Sequence, residues 1–393
     1  MHGRVKLKKT HKVGERLPFE CVALVLQGGG ALGAYQAGVY QALDEAGVEP
    51  NWVAGISIGA INSALIVGNR REDRIQRLRD FWESVTSDYK VDWAQATWPS
   101  LFDGDLPNRA LTKFGSLMST LRGQPGFFSP RPLSPWFQLP GSLAATSYYD
   151  TSELKTTLER LVDFDRINDA NQKIRFSVGA VNVRSGNFIY FDNATHHIGP
   201  EHIIASGSLP PGFPPTEIEG EYYWDGGLVS NTPLQWVLDT EPRLDTLAFQ
   251  VDLWSARGEF PTGMEEVEER QKEIRYSSRT RLMTDYMQRL QQARQALSSL
   301  LAKLPADLQD DPEVELLRPL ADDKVCNIVH LIYRSRTYED DAKDHDFSRS
   351  SMLGHWQAGY NDAVRTLRHP RIFERPPAIE GFRTFDLALD GTS

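Results

Sequence analysis

Gly28-Gly29-Gly30-Ala31-Leu32-Gly33, read with Gly55-Ile56-Ser57-Ile58-Gly59 downstream of it, decides how this 393-residue chain folds. Taken alone, each stretch is ambiguous. The first fits G-x-G-x-x-G, a backbone cradle that can seat a pyrophosphate, and the second is a G-x-S-x-G nucleophile elbow. Phe19 to Gln27 reads as a strand feeding the glycine loop. Ala31 to Ala46 reads as a helix, with Leu32, Tyr35, Val39, Ala42 and Leu43 at helical spacing and Gly47 as its stop. Asn51 to Ile56 is a second short strand, and Ile58 to Val67 a helix of small residues able to pack closely on a sheet. Two strand–turn–helix units in succession predict a parallel sheet with right-handed crossovers.

The two turns have complementary chemistry. A serine hydroxyl is a poor nucleophile at neutral pH and needs both a base and a place for the developing oxyanion. Gly55 and Gly59 permit a sharp turn that exposes Ser57, while the N–H of Ile58 and the dipole of its helix face the reacting carbonyl. Consecutive Gly28, Gly29 and Gly30 let backbone N–H groups converge as a nest for an anionic oxygen. A dinucleotide site would use the same physics for phosphate. It would also require an acidic residue closing the second strand, to hold a ribose. That strand ends in Gly55-Ile56-Ser57 instead, and Glu49 precedes it.

Further along, Arg71 to Ser87 is a charged amphipathic helix. Trp93 to Tyr149 then turns rich in Pro, Gly, Ser and aromatic residues (Trp98, Phe102, Phe127, Phe128, Trp136, Phe137), with short helical pieces such as Asn108 to Leu121. A stretch this long and irregular is expected as a lid-like insertion (93–149) covering an apolar groove, with plain packing as the alternative. A capping-box-like start at Asp150-Thr151-Ser152-Glu153 opens a helix to Val162. Lys173 to Val183 and Asn187 to Asp192 read as a hairpin. Pro200 to Gly207 is a short helix, and Glu217 to Trp224 a strand ending at Asp225-Gly226-Gly227. Leu244 to Trp254 is a buried strand. Met264 to Leu304 is a long helix whose stripe (Met283, Tyr286, Met287, Leu290, Leu297, Leu301, Leu304) serves as a packing face, a dimer seam or a lipid-facing surface. Val325 to Tyr333 adds a strand, and Ser348 to Leu367 a final helix before a Pro-rich tail. The expected organisation is a basic flexible tail (1–18), a catalytic domain (19–260) and a mainly helical C-terminal domain packed on the core (261–393).

Composition narrows the function classes. With 40% apolar, 24% charged and 10% aromatic residues the chain is an ordinary globular protein. Its net charge of −10 excludes a global basic field for nucleic acid. The basic tail residues Arg4, Lys6, Lys8 and Lys9 have no apolar stretch behind them of the kind a secretory signal needs. Cys21 and Cys326 sit in strand-like apolar runs and are read as buried thiols, which suits a cytoplasmic location. No Cys/His spacing suggests zinc, and His196-His197 is read as polar surface.

Asp225 ends a strand and is followed by two glycines, so backbone can approach and the carboxylate can reach into a site. Alone it would be an ordinary D-G turn. In order, Gly28 to Gly33, Gly55 to Gly59 and Asp225 to Gly227 resemble the three signatures of the patatin-like phospholipase family: G-G-G-x-x-G, G-x-S-x-G and D-G-G/A. The resemblance covers about Val22 to Val251. It implies an α/β fold, a three-layer α/β/α sandwich with a mostly parallel central sheet. It also implies a Ser–Asp dyad without histidine: Ser57 as nucleophile, Asp225 as base, and Gly28, Gly29 and Gly30 lining the oxyanion hole with Ile58. Gln27 is a departure, since many plant members are acidic there. Asp346-Phe347-Ser348-Arg349-Ser350-Ser351-Met352 and His355-Trp356-Gln357-Ala358-Gly359-Tyr360 resemble an uncharacterised domain appended to one bacterial branch.

The implied activity is hydrolysis of lipid carboxylic esters with no metal or cofactor. The implied partner is a lipid or acyl-ester substrate; peripheral membrane contact and homo-oligomerisation are left open. With an ordinary pKa of about 3.9, Asp225 would be a feeble base. Three alternatives stand beside this reading. They are a Ser–Asp–His triad drawing on His330, His345, His355 or His369, acyl transfer to an acceptor other than water, and a lipid-binding protein without turnover.

Overall fold

The computed structural model describes residues 8–14, 16–86, 122–334, 344–377 and 380–387. The first part of the insertion, including the helix expected over Asn108 to Leu121, lies outside them.

The run CVALVL forms β1 (Cys21–Leu26), buried along its whole length, as a central strand covered on both faces must be. Its alternation divides the molecule. Val22, Leu24 and Leu26 enter a cluster with α1 (Ala34–Ala46), α2 (Ile58–Val67) and α3 (Arg71–Ser84). Cys21, Ala23 and Val25 enter a second cluster on the opposite face, with Leu234, Val237 and Met287. Two apolar clusters fed by alternate residues of one strand are what a three-layer α/β/α sandwich requires.

Parallel pairing joins β1 to β2 (Trp52–Gly55) on one side and to β9 (Thr246–Asp252) on the other. β9 continues in parallel to β10 (Cys326–Ile332) and β11 (Phe382–Phe385), while β2 continues to β5 (Arg175–Asn182). β6 (Phe188–Asp192), β7 (Thr216–Ile218) and β8 (Glu221–Asp225) add antiparallel pairs, giving nine strands in this sheet among the described residues. The strand expected over Glu217 to Trp224 is therefore two. Glu219 and Gly220 both adopt positive φ, which turns the chain back in a tight hairpin.

The insertion's described end forms a small two-stranded ribbon, β3 (Ser129–Pro130) with β4 (Tyr149–Asp150). α4 (Ser152–Leu161), α5 (Phe164–Ile167) and α6 (Pro200–Ser206) follow, and α7 (Leu234–Asp239) lies on the second face with α8 (Met264–Leu301). On α8, Met287 is buried and Met283 and Leu290 pack beside it, whereas Tyr286 is exposed. α9 (Pro312–Leu317) is short, and α10 (Arg349–Leu367) lies across α1.

The sheet does not end near residue 261: β10 pairs with β9 over seven residues. α1 and α10 touch backbone to backbone. A Cβ on Gly38 would lie 1.9 Å from the Trp356 carbonyl oxygen, and one on Gly359 2.0 Å from that of Tyr35. Tyr35 Oη also donates to Asp362 (3.1 Å) and Trp356 Nε1 to Gln41 (2.7 Å). The stretch expected as a loose tail is docked from Lys8 onward, where its N–H bonds to Arg368 O and that of Val13 to Ala46 O. Cys21 and Cys326 are free and buried on strands flanking Thr246, and burial pushes the Cys21 thiol up to about 12.

Candidate active site

Register brings the two chemical motifs together. β2 runs parallel to β5 and ends with Gly55 opposite Val178, whereas β8 runs antiparallel to β5 and ends with Asp225 opposite Ala180. Since β6 occupies the other edge of β5 at Ala180 and Val178, β2 and β8 share a single edge and meet end to end. The turn after β2 carries Ser57, and the last residue of β8 is Asp225. Their meeting is a consequence of strand order.

The elbow is tight and strained. Ser57 has φ 56° and ψ −126°, a conformation that costs a non-glycine residue roughly 1–3 kcal/mol. Its N–H is held by Ser206 Oγ (3.0 Å), which in turn donates to Gly179 O (2.7 Å). Gly55 and Gly59 are close-approach positions. A Cβ on the first would meet Gly59 O at 2.3 Å, and one on the second Leu26 O at 2.3 Å. Gly33 packs under Ile58 and Trp82, and Gly226 against the Gly179 carbonyl.

The glycine loop is clamped at one end and open at the other. Gly28 O accepts from Asn231 Nδ2 and Trp254 Nε1, both at 3.0 Å, and the Gly28 N–H reaches Asn231 O at 3.4 Å. The Ala31 N–H donates to Asp344 O at 2.9 Å. Gly29, Gly30 and Ile58 line the same cavity, and no group among the described residues takes their N–H. These three amides are the donors available to an anionic oxygen.

Asp225 is buried, with Oδ1 accepting the Gly227 N–H at 2.7 Å. Burial raises its carboxyl from 3.8 to about 7, although hydrogen bonding from the Ser57 hydroxyl and the Gly227 N–H pulls the other way. The expectation of an ordinary aspartate is thereby corrected, because desolvation of this strand end makes the group a far stronger base.

Above Ser57 and Asp225 opens a cavity of about 410 Å³. One wall is aromatic: Phe127, Phe128, Tyr149, Phe213 and Phe347 form a mesh of ring pairs with centroids 5.0–6.2 Å apart. Trp254 and Tyr276, paired with each other, also line it, and Trp254 bonds the glycine loop at Gly28 O. Of the insertion aromatics singled out in the sequence, Phe127 and Phe128 line the cavity; Trp136 and Phe137 face solvent. His345 lines it too, with Nε2 3.5 Å from Asp344. His330 pairs with Asp252 at 3.5 Å, His355 lies edge-on to Tyr333, and His369 sits beside Phe385; none of these three lines the cavity. Among the described residues no group of three or more His, Cys, Asp or Glu is placed to hold a metal, and no helix is long and apolar enough to cross a membrane.

Several supporting residues carry no motif. Gln27, fully buried at the end of β1, accepts from Leu253 N (2.7 Å) and Trp254 N (3.1 Å) and donates to Thr232 (3.1 Å). It ties the glycine loop to the end of β9, and a polar residue closing an all-apolar run is the signal that could have found it. Gln27→Leu would leave both amides unpaired and should cost about 2–4 kcal/mol, read as a drop in urea midpoint. Asn231, Ser206 and Asp344 have no comparable signal.

Fold and geometry together define an α/β/α protein of the serine-elbow class. The chain belongs to the patatin-like phospholipase family: the family model matches residues 24–238, and a second model, described as patatin phospholipase, matches 274–378. It is 42% identical over 93 residues to patatin-like phospholipase domain-containing protein 6 of Mus musculus (23% of this chain, 7% of that protein). It is 51% identical over 55 residues to lysophospholipase nte1 of Aspergillus terreus (14% and 4%). The chain thus spans a small part of these relatives. A solved structure, VipD from Legionella pneumophila, aligns over 93% of this chain and 71% of its own, with TM-score 0.38 and 16% identity.

Proposed function

We propose that this chain is a serine acyl hydrolase that cleaves carboxylic esters of lipids, in the manner of a phospholipase A or lysophospholipase. One observation carries the reading. Strand ends meeting on one edge of β5 set a strained serine beside a buried aspartate of raised pKa, beneath an aromatic cavity. The relatives' names (phospholipase, lysophospholipase) support the substrate class.

Ionised Asp225 takes the hydroxyl proton as Ser57 Oγ attacks the ester carbonyl carbon. The carbonyl π pair moves onto oxygen, where the amides of Gly29, Gly30 and Ile58 each stabilise it by roughly 3–4 kcal/mol when well placed. Gly28 anchors that loop. Collapse breaks the ester C–O bond, and the leaving alcohol takes the proton from Asp225. Water then attacks the acyl-serine with Asp225 again as base, and the fatty acid leaves.

A base must be ionised to act, and a base with pKa near the working pH combines availability with strength. On a soluble p-nitrophenyl ester, kcat/KM should therefore climb with pH through one ionisation near 7. A limb near pH 4 would instead mean that Asp225 acts with an ordinary carboxylate pKa and that burial does not raise it. His345→Ala distinguishes the dyad from a triad. The dyad keeps the limb near 7, whereas a triad predicts a loss of kcat equal to that of Asp225→Asn.

A further inference from the structure

Residues 132–149 contain no acidic or basic side chain, yet they include Trp136, Phe137, Leu133, Leu139 and Leu143 and three prolines. The segment is built, not loose. Its neck is the β3–β4 ribbon, reinforced by Arg131, whose N–H donates to Tyr148 O (3.0 Å) and whose guanidinium bonds Asp150 (3.0 Å) and Ser147 (3.2 Å). Two short 3₁₀ turns, Pro135–Phe137 and Leu143–Thr146, pack on each other within it. This is a closed Ω-loop.

Among the described residues, the apolar side chains at its tip are nevertheless left largely uncovered. Trp136 is 83% exposed, Phe137 76% and Leu139 80%. Phe260 beside Glu259 and Leu282 beside Arg281, by contrast, are exposed apolar residues next to charges in sequence. A contiguous apolar tip held out by a rigid neck marks an interaction surface. The base of the loop is the cavity rim: Tyr148 N–H bonds Pro211 O (3.1 Å) and Tyr149 N–H bonds Gly212 O (2.9 Å), and all four residues line the cavity.

We propose that this loop docks the protein on a lipid surface, dipping Trp136, Phe137 and Leu139 into the interfacial layer and setting the cavity mouth against it. The inference rests on the lipid-ester reading above, which supplies the reason for a mouth to face lipid. Tryptophan and phenylalanine settle at the boundary of headgroups and chains, and a preformed loop loses little freedom on entering it. Having no charge, the tip needs no anionic lipid, and its binding resists salt.

The test compares the full chain with the triple variant Trp136→Ser, Phe137→Ser, Leu139→Ser by co-sedimentation with phosphatidylcholine vesicles at about 0.1 and about 0.5 M NaCl. The parent should sediment at both salt levels, and the variant should lose at least about tenfold in partitioning. Hydrolysis of vesicle lipid should fall in step, whereas hydrolysis of p-nitrophenyl butyrate in solution should stay within about twofold. Should the triple variant lose its butyrate activity, the single change Leu139→Glu decides by the same criterion. The proposal is overturned if the parent stays in the supernatant or if variant and parent sediment alike. It is also overturned if lipid-free sedimentation shows the loop holding two copies together. If neither protein hydrolyses any ester, the hydrolase reading fails, and sedimentation still decides the loop.

Discussion

Asp225→Asn is expected to lower ester hydrolysis by about 10²–10⁴-fold and, at pH 8, to raise the melting temperature by several degrees. Both effects follow from burial. The carboxyl is held near 7 in the folded chain against 3.8 ordinarily. Between those values the folded protein holds a proton that the unfolded chain has released, so stability declines as pH rises from about 4 and levels off above about 7. At pH 8 the native state carries a desolvated charge costing up to roughly 4 kcal/mol. Asparagine mimics the neutral form and keeps an oxygen for the Gly227 N–H, which removes that cost. Near pH 4, where the parent is neutral too, the two proteins should melt alike. Melting curves across this range check the linkage. A variant no more stable than its parent at pH 8 would mean that Asp225 is not the strained base described here.

Ser57 makes the second large prediction, and its two simplest replacements separate chemistry from conformation. Ser57→Ala and Ser57→Gly should each lower kcat by roughly 10⁴-fold or more, since neither retains a nucleophile. Their stabilities should diverge. Alanine keeps the Cβ that makes φ 56° costly, whereas glycine accepts it freely. Allowing for glycine's greater unfolded-state freedom, Ser57→Gly should be more stable than Ser57→Ala by about 1 kcal/mol. Urea unfolding resolves that difference. Equal midpoints would refute strain at the elbow, and retained turnover in either variant would remove Ser57 as the nucleophile.

How far the sequence could be read depended on the range of the forces involved. Local signals served well: Ile58 to Val67 is the helix its small residues predict, and Cys21 to Leu26 is the strand expected ahead of the glycine loop. The hairpin after Arg175 was legible for the same reason, because Ser185-Gly186 has turn chemistry of its own. Glu219-Gly220 is a weaker turn signal than Asn-Gly, so the sequence pattern reads as one strand where two exist. β11 (Phe382–Phe385) lies in what reads as a Pro-rich tail, and only pairing with β10 makes it a strand. The serine and aspartate were legible as motifs, but the desolvation that alters Asp225 arises from strand packing and cannot be seen along the chain. Nor could Asn231 be found, whose two bonds to Gly28 join positions 203 apart in sequence.

The contact of Gly38 with Trp356, together with the bond from Ala31 to the Asp344 carbonyl, has a consequence for biosynthesis. The elbow and its aspartate leave the ribosome early, but the brace on the glycine loop and the helix lying across α1 are made late. A nascent chain would display the serine without the framework that aims the oxyanion donors. On the hydrolase reading, a chain assembled in this order is expected to cleave no ester until residues 344–367 have closed over the glycine loop and α1.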